Sequence, residues 1–254
     1  MPDKMKEGMA WFKSNFAAAI REGVKGTPFT VDMLTAVAVQ ETFEIWGRAF
    51  KTKSVADVLA VCVGDILDAP KRDSTAFPQN RSVLEKAPNG VKMFQIARQA
   101  FADMAEVAPE YKKFLANKDK FCHAFGIFQY DIQFFPTDPD YFLQKKWCNF
   151  ADTLAKAVHE LSAAQKRAHL GGKATLTDME MAAVAIAYNR GSFDPAKGLR
   201  QGHFDGKKFY GENFFEYLQL AKSVPETAPA VAPAVAAAAT SGAAGGSGAP
   251  TGTA

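Results

Sequence analysis

Apolar residues recur at helical spacing along most of this chain, and no stretch shows the sustained β-branched alternation of a large sheet. From Asp3 to Ile20, Met9, Trp11, Phe12 and Phe16 mark one side of an amphipathic helix. Thr30 is placed to cap a second helix through Met33, Leu34, Val37, Ala38 and Ile45. Ser54, with Asp57 three residues on, opens a third over about 54–67, whose apolar face is Val55, Val58, Leu59, Val61, Cys62 and Ile66. Pro70, Pro78, Pro88 and Asn89-Gly90 predict a loop over 70–90. Further helices are expected at about Lys92–Ala105, Pro109–Leu115, Pro139–Leu170 (continuous or broken), Thr177–Tyr188 and Glu212–Lys222. Thr177 and Glu180 have the spacing of a capping box. The fold class is therefore mainly α.

From about Val224 to Ala254 the material changes. Pro225, Pro229 and Pro233 lie among alanines, and a Gly/Ser-rich run follows from Ser241. Such composition buries too little to offset chain entropy, so a flexible tail is expected over 224–254, after one domain at 1–223. With 254 residues, 48% of them hydrophobic and 21 of them Phe, the chain can bury a sizeable core. A net charge of +3 favours an anionic polymer mildly but is too small to argue for nucleic acid. Cys62, Cys122 and Cys148 lack CxxC spacing, and the four histidines show no metal pattern, so free thiols and no metal or other cofactor are expected. Met1 to Phe16 has no apolar core or small-residue cleavage site of a signal peptide, and no run is long enough to span a membrane.

Three segments carry candidate chemistry. In Ala38-Val39-Gln40-Glu41-Thr42, Glu41 follows Val37 by four residues and Ala38 by three, so it continues the buried face of its helix. A carboxyl group desolvated there keeps its proton near neutral pH, as a general acid must. In Gly126-Ile127-Phe128-Gln129-Tyr130-Asp131, Gly126 permits a tight turn and close approach to a ligand, Gln129 offers an amide and Asp131 a second carboxylate. In Ala187-Tyr188-Asn189-Arg190-Gly191, Gly191 is a helix C-cap candidate, and Tyr188 and Asn189 supply a phenol and an amide. Each segment alone is also compatible with a purely structural role. Trp46 and Trp147 are better placed in the core than against sugar rings, and Gly202-His203-Phe204-Asp205-Gly206-Lys207-Lys208 reads as a surface turn.

Together and in this order, the three segments resemble the motifs of the lysozyme-like superfamily, in particular the soluble lytic transglycosylases and goose-type lysozymes. Those families carry a Glu-Ser pair, a Gly-Leu-Met-Gln turn and a helix ending in Ala-Tyr-Asn-Ala-Gly. The counterparts here are Glu41-Thr42, Gly126 to Gln129 and Ala187 to Gly191. The resemblance implies a lysozyme-like catalytic domain that cleaves the β-1,4 bond between N-acetylmuramic acid and N-acetylglucosamine in peptidoglycan; the oligomeric state stays open, a monomer being one option. It makes Glu41 the catalytic acid and base and Tyr188 its hydrogen-bond partner. Thr42, Gly126, Phe128, Gln129 and Asn189 join the glycan-binding set. Two departures stand out, Thr42 in place of serine and an insertion at about 51–120 between the first two motifs.

A lytic transglycosylase needs only the one glutamate, whereas an inverting hydrolase also needs a carboxylate to hold water. Asp131 is the leading candidate for that role, with Asp65, Asp68 and Glu44 behind it. The clear acid and the ambiguous base favour lytic cleavage. A muramidase, a chitinase-type hydrolase and a non-catalytic glycan-binding domain are the alternatives. The implied substrate places the activity in the periplasm or outside the cell, reached by an export route other than an ordinary leader.

Overall fold

The computed structural model describes residues 2–66 and 76–226. Asp68, residues 70–75 of the expected 70–90 loop and the expected tail beyond Glu226 all lie outside the described residues. The chain is mainly helical. In order it forms α1 (Pro2–Gly23), α2 (Val31–Ala49), α3 (Val55–Val61), β1 (Val63–Gly64), α4 (Arg81–Glu85) and α5 (Gly90–Val107). After a 3₁₀ stretch over Pro109–Ala116 come β2 (Ala124–Phe125) and β3 (Tyr130–Asp131). Then follow α6 (Pro139–Leu143), α7 (Phe150–Arg167), α8 (Asp178–Arg190) and α9 (Tyr210–Ser223).

Local capping chemistry explains most helix starts. The Thr30 hydroxyl accepts from Met33 N at 3.1 Å, Ser54 from Asp57 N at 3.2 Å, and Asn149 from Asp152 N at 3.2 Å. The Thr177–Glu180 capping box is formed in full, and Gly191 closes α8 at φ 85°. The expected 139–170 helix is broken, into α6, a 3₁₀ turn over Lys146–Cys148, and α7. The expected 54–67 helix is corrected, because α3 stops at Val61 and the chain enters β1. The β-branched Val63 pairs with Phe125 there, and Ala124 pairs with Gly64, so strand pairing overrides the helical spacing. The sheet is small and antiparallel in the order β1-β2-β3, with Phe125 also paired to Tyr130.

The described residues form two apolar cores. One joins α1, α2, α7, α8 and α9 through Phe12, Phe16, Leu34, Val37, Trp46, Leu161, Val184, Phe214 and Leu218. The other is built on the insertion, where Met93, Phe94, Phe101 and Met104 meet Phe125, Tyr141, Phe142 and Trp147. Trp46 and Trp147 are core residues, as their setting in the sequence suggested. Helix α2 serves both cores, since Ile45 belongs to the second. Thirteen of its residues are buried.

Lys13 of α1 is buried and ties three helices together. Its Nζ donates to Asp32 Oδ1 at the start of α2, and to the carbonyls of Ala221 and Val224 at the end of α9, each at 2.6 Å. A cation suits the carbonyl end of a helix, and the three acceptors offset the cost of burying the charge. Val224, placed by composition at the start of the tail, is in fact buried against this core.

Candidate functional site

Glu41 sits in the middle of α2, and the helix runs on past it to Ala49. The residue is partly buried, and its carboxyl proton is held up to about pH 7. Burial is the main cause, while a hydrogen bond from Tyr210 pulls the other way by favouring the ionised form. Tyr210 is the first residue of α9, and its phenol donates to Glu41 Oε1 at 2.6 Å.

This corrects the assignment of Tyr188 as the partner of Glu41. The Tyr188 hydroxyl donates instead to the Phe128 carbonyl. Both phenols are pushed well above their ordinary pKa, first by burial and then by the charge of Glu41 nearby. They therefore stay protonated and act as hydrogen-bond donors.

The Gly126–Gln129 segment forms the turn between β2 and β3. Gly126 has φ 85°, and a Cβ there would lie 2.4 Å from Thr153 Oγ1 and 3.0 Å from the Tyr141 hydroxyl. The close approach that demands glycine is thus to the protein interior, not to a ligand, which corrects the expectation for Gly126. Phe128 is also corrected, because it is 1% exposed and packs edge-on to Phe12 with ring centres 6.3 Å apart. Thr42 is buried as well and donates to the Ile127 carbonyl at 2.8 Å, so it positions the turn, though it borders one cavity. Two hydroxyls, from α2 and α8, therefore pin successive carbonyls of one turn. The three segments singled out in the sequence converge here.

Gln129 does face the cleft. Its backbone is left-handed at φ 58°, and its Nε2 donates to the Gly126 carbonyl at 2.8 Å. A Cβ on Gly64 of β1 would fall 2.5 Å from Gln129 Oε1, so glycine there makes room for the amide. Asp65, the next residue, is also left-handed at φ 45°, a conformation that costs a non-glycine residue energy and tends to occur at functional positions.

Two cavities meet at Glu41. The larger, about 310 Å³, is lined on its polar side by Asp65, Gln129, Asp131, Glu160 and Asn189. The smaller, about 210 Å³, is bordered by Glu44, Asp65, Met104 and Tyr111. Glu41, Asp65 and Gln129 line both, so the acid stands at the junction of a two-sided groove. Asp131 sits on the larger side, with its Oδ1 accepting from Gln133 N at 2.7 Å. Asn189 is exposed at the rim.

Tyr210 and Glu160 were not singled out in the sequence. Glu160 lies on α7 with no motif around it, and only the tertiary packing brings it to the cleft. The helix start at Tyr210 carried a faint signal, since Glu212 accepts from the Phe209 backbone N–H at 2.9 Å. Nothing local joins that phenol to Glu41, which is 169 residues earlier. Among the described residues no group of His, Cys, Asp and Glu is arranged to hold a metal ion, and no helix is long and apolar enough to cross a membrane.

Comparison of the chain with models of protein families, with curated proteins and with solved structures found no match.

Proposed function

We propose that this protein is a lysozyme-like enzyme that cleaves the β-1,4 bond between N-acetylmuramic acid and N-acetylglucosamine in peptidoglycan, by lytic transglycosylation. The observation that carries the reading is a carboxyl group with a pKa near 7 at the junction of a two-sided groove. A polymer lying along such a groove presents an internal linkage to the acid. Gln129 and Asn189 supply amides suited to acetamido and hydroxyl groups along the way.

In this mechanism the protonated Glu41 donates to the glycosidic oxygen as the C1–O bond breaks, releasing the leaving sugar with a free hydroxyl. The Glu41 carboxylate then accepts the proton of the C6 hydroxyl as O6 bonds to C1. A 1,6-anhydro ring closes, and Glu41 ends in its starting protonation state. Tyr210 steadies the carboxylate between the two half-steps, because its hydrogen bond strengthens when Glu41 is charged.

One observation supports a hydrolytic variant. Asp65, Asp131 and Glu160 line the same cavity as Glu41, so water could replace O6 with one of them as base. Asp65 is the best placed of the three, because it lines both sides of the groove.

The test is digestion of purified cell-wall glycan with mass analysis of the soluble fragments. Fragments with anhydro ends support the lytic reading, and free reducing ends the hydrolytic one. Glu41→Gln should release nothing while keeping its helical circular dichroism. A fully active Glu41→Gln protein would remove the proposal.

A further inference from the structure

The Gln201–Phe209 hairpin, which reads as a plain surface turn in the sequence, is anchored behind the cleft through its contacts with Asn189 and Tyr210. Its root is Gln201, which is 3% exposed. The Gln201 side chain accepts from Arg190 Nη1 at 2.8 Å and from Asp194 N at 2.9 Å, and donates to the carbonyls of Asp194 and Gly198, both at 2.7 Å. From that root the chain passes directly over two residues of the site. The His203 N–H donates to Oδ1 of cleft-lining Asn189 at 3.1 Å, and the His203 carbonyl accepts from Tyr210 N at 2.7 Å. Gly202 permits this approach, since at φ 86° a Cβ would lie 2.6 Å from Tyr210 Cβ and 2.9 Å from Asn189 Oδ1.

The tip is equally fixed. Asp205 Oδ1 accepts from the backbone N–H groups of Lys207 and Lys208 at 2.7 and 2.8 Å, and Oδ2 accepts from Asn213 at 2.8 Å. Phe204 pairs with Phe209 across the hairpin, with ring centres 5.0 Å apart. The Phe204 ring nevertheless remains 50% exposed. A large aromatic ring held at the surface by a rigid turn, one residue from a cleft contact, has a ready use. A pyranose presents a face of C–H bonds that suits the electron-rich face of such a ring.

We propose that Phe204 is a stacking platform for a sugar ring of the bound glycan, extending the cleft past Asn189. The inference rests on the glycan-cleaving reading of the site. Because the hairpin is rooted in Gln201 and locked by Asp205, the platform is formed before the strand arrives, and little ordering is needed on binding. Short oligosaccharides that occupy only the neighbourhood of Glu41 do not reach it.

The test uses the full-length Glu41→Gln protein, which holds substrate without cutting it, and calorimetric titration with N-acetylglucosamine oligomers of two and six sugars. Adding Phe204→Ala or Phe204→Leu should weaken hexamer binding about three- to tenfold and leave the dimer unchanged, while Phe204→Trp keeps or improves hexamer binding. The leucine variant retains apolar bulk against Phe209, so its loss would report stacking rather than a collapsed hairpin. Equal hexamer affinity in the parent and the Ala and Leu variants overturns the platform alone. Failure of the parent to bind either oligomer, or wall glycan, overturns the platform together with the functional reading beneath it.

Discussion

Replacing Glu41 by glutamine should make the protein more stable, and only above a defined pH. The substitution preserves shape and leaves an amide oxygen to accept from Tyr210, but it removes a charge that the fold holds at a cost. In the unfolded chain the carboxyl group titrates near 4.5, and in the folded protein near 7. Below about pH 4.5 both states are protonated and Glu41 imposes no electrostatic penalty. Between those two values the unfolded chain releases its proton while the folded protein keeps it, so stability falls as pH rises. Above pH 7 both are ionised and the penalty is complete. At about 1.4 kcal/mol per pH unit, that window corresponds to roughly 3 kcal/mol. Water in the groove solvates part of the charge, so about 1–3 kcal/mol is expected. Urea denaturation of the two proteins at pH 4.5, 6, 7 and 8.5 measures it. Other titrating groups are common to both proteins and cancel in the difference. The advantage of Glu41→Gln should grow from pH 4.5 to 7 and then level off. A difference that stays constant across this range would refute the claim that Glu41 is desolvated.

Two further substitutions separate the parts of the site. Tyr210→Phe removes a donor that favours ionised Glu41, so the carboxyl group should hold its proton more tightly. The alkaline limb of the pH–rate profile on wall glycan should then move to higher pH, and an unmoved or lowered limb would contradict the assigned hydrogen bond. Gly126→Ala combines left-handed strain with a Cβ driven into Thr153, for a loss of about 2–4 kcal/mol in urea denaturation. Gly191→Ala has the same φ but open space around its Cβ, and should cost only about 1–2 kcal/mol. Equal losses at the two positions would show that the Thr153 contact does not matter.

The helical framework was legible because its signals are local. Thr30, Ser54 and the Thr177–Glu180 box cap helices where their spacing implies, and Gly191 ends α8 as expected. What was not legible depends on partners distant in sequence. Val61-Cys62-Val63 fits a helix by spacing, and only pairing with Phe125 makes its last residue a strand. The position of Glu41 on a buried helix face was readable, because Val37 and Ala38 set that face. Its phenolic partner was not, since Tyr210 is buried and Tyr188 partly so, and the choice between them is made by where the tertiary fold sets each phenol relative to Glu41. Gly126 and Phe128 were placed in the right turn with the wrong direction. A turn motif identifies the bend but not which of its side chains point inward.

The clamp at Lys13 has a consequence for how the site would fail. Glu41 and Tyr210 ride on α2 and α9, and one ammonium group grips the front of the first helix and the back of the second. Peeling α9 away from its neighbours would strand that cation and draw the phenol off the acid in a single event. Loss of the Glu41–Tyr210 contact on heating should then follow the detachment of α9, while the second core, to which none of the Lys13 acceptors belongs, can remain intact.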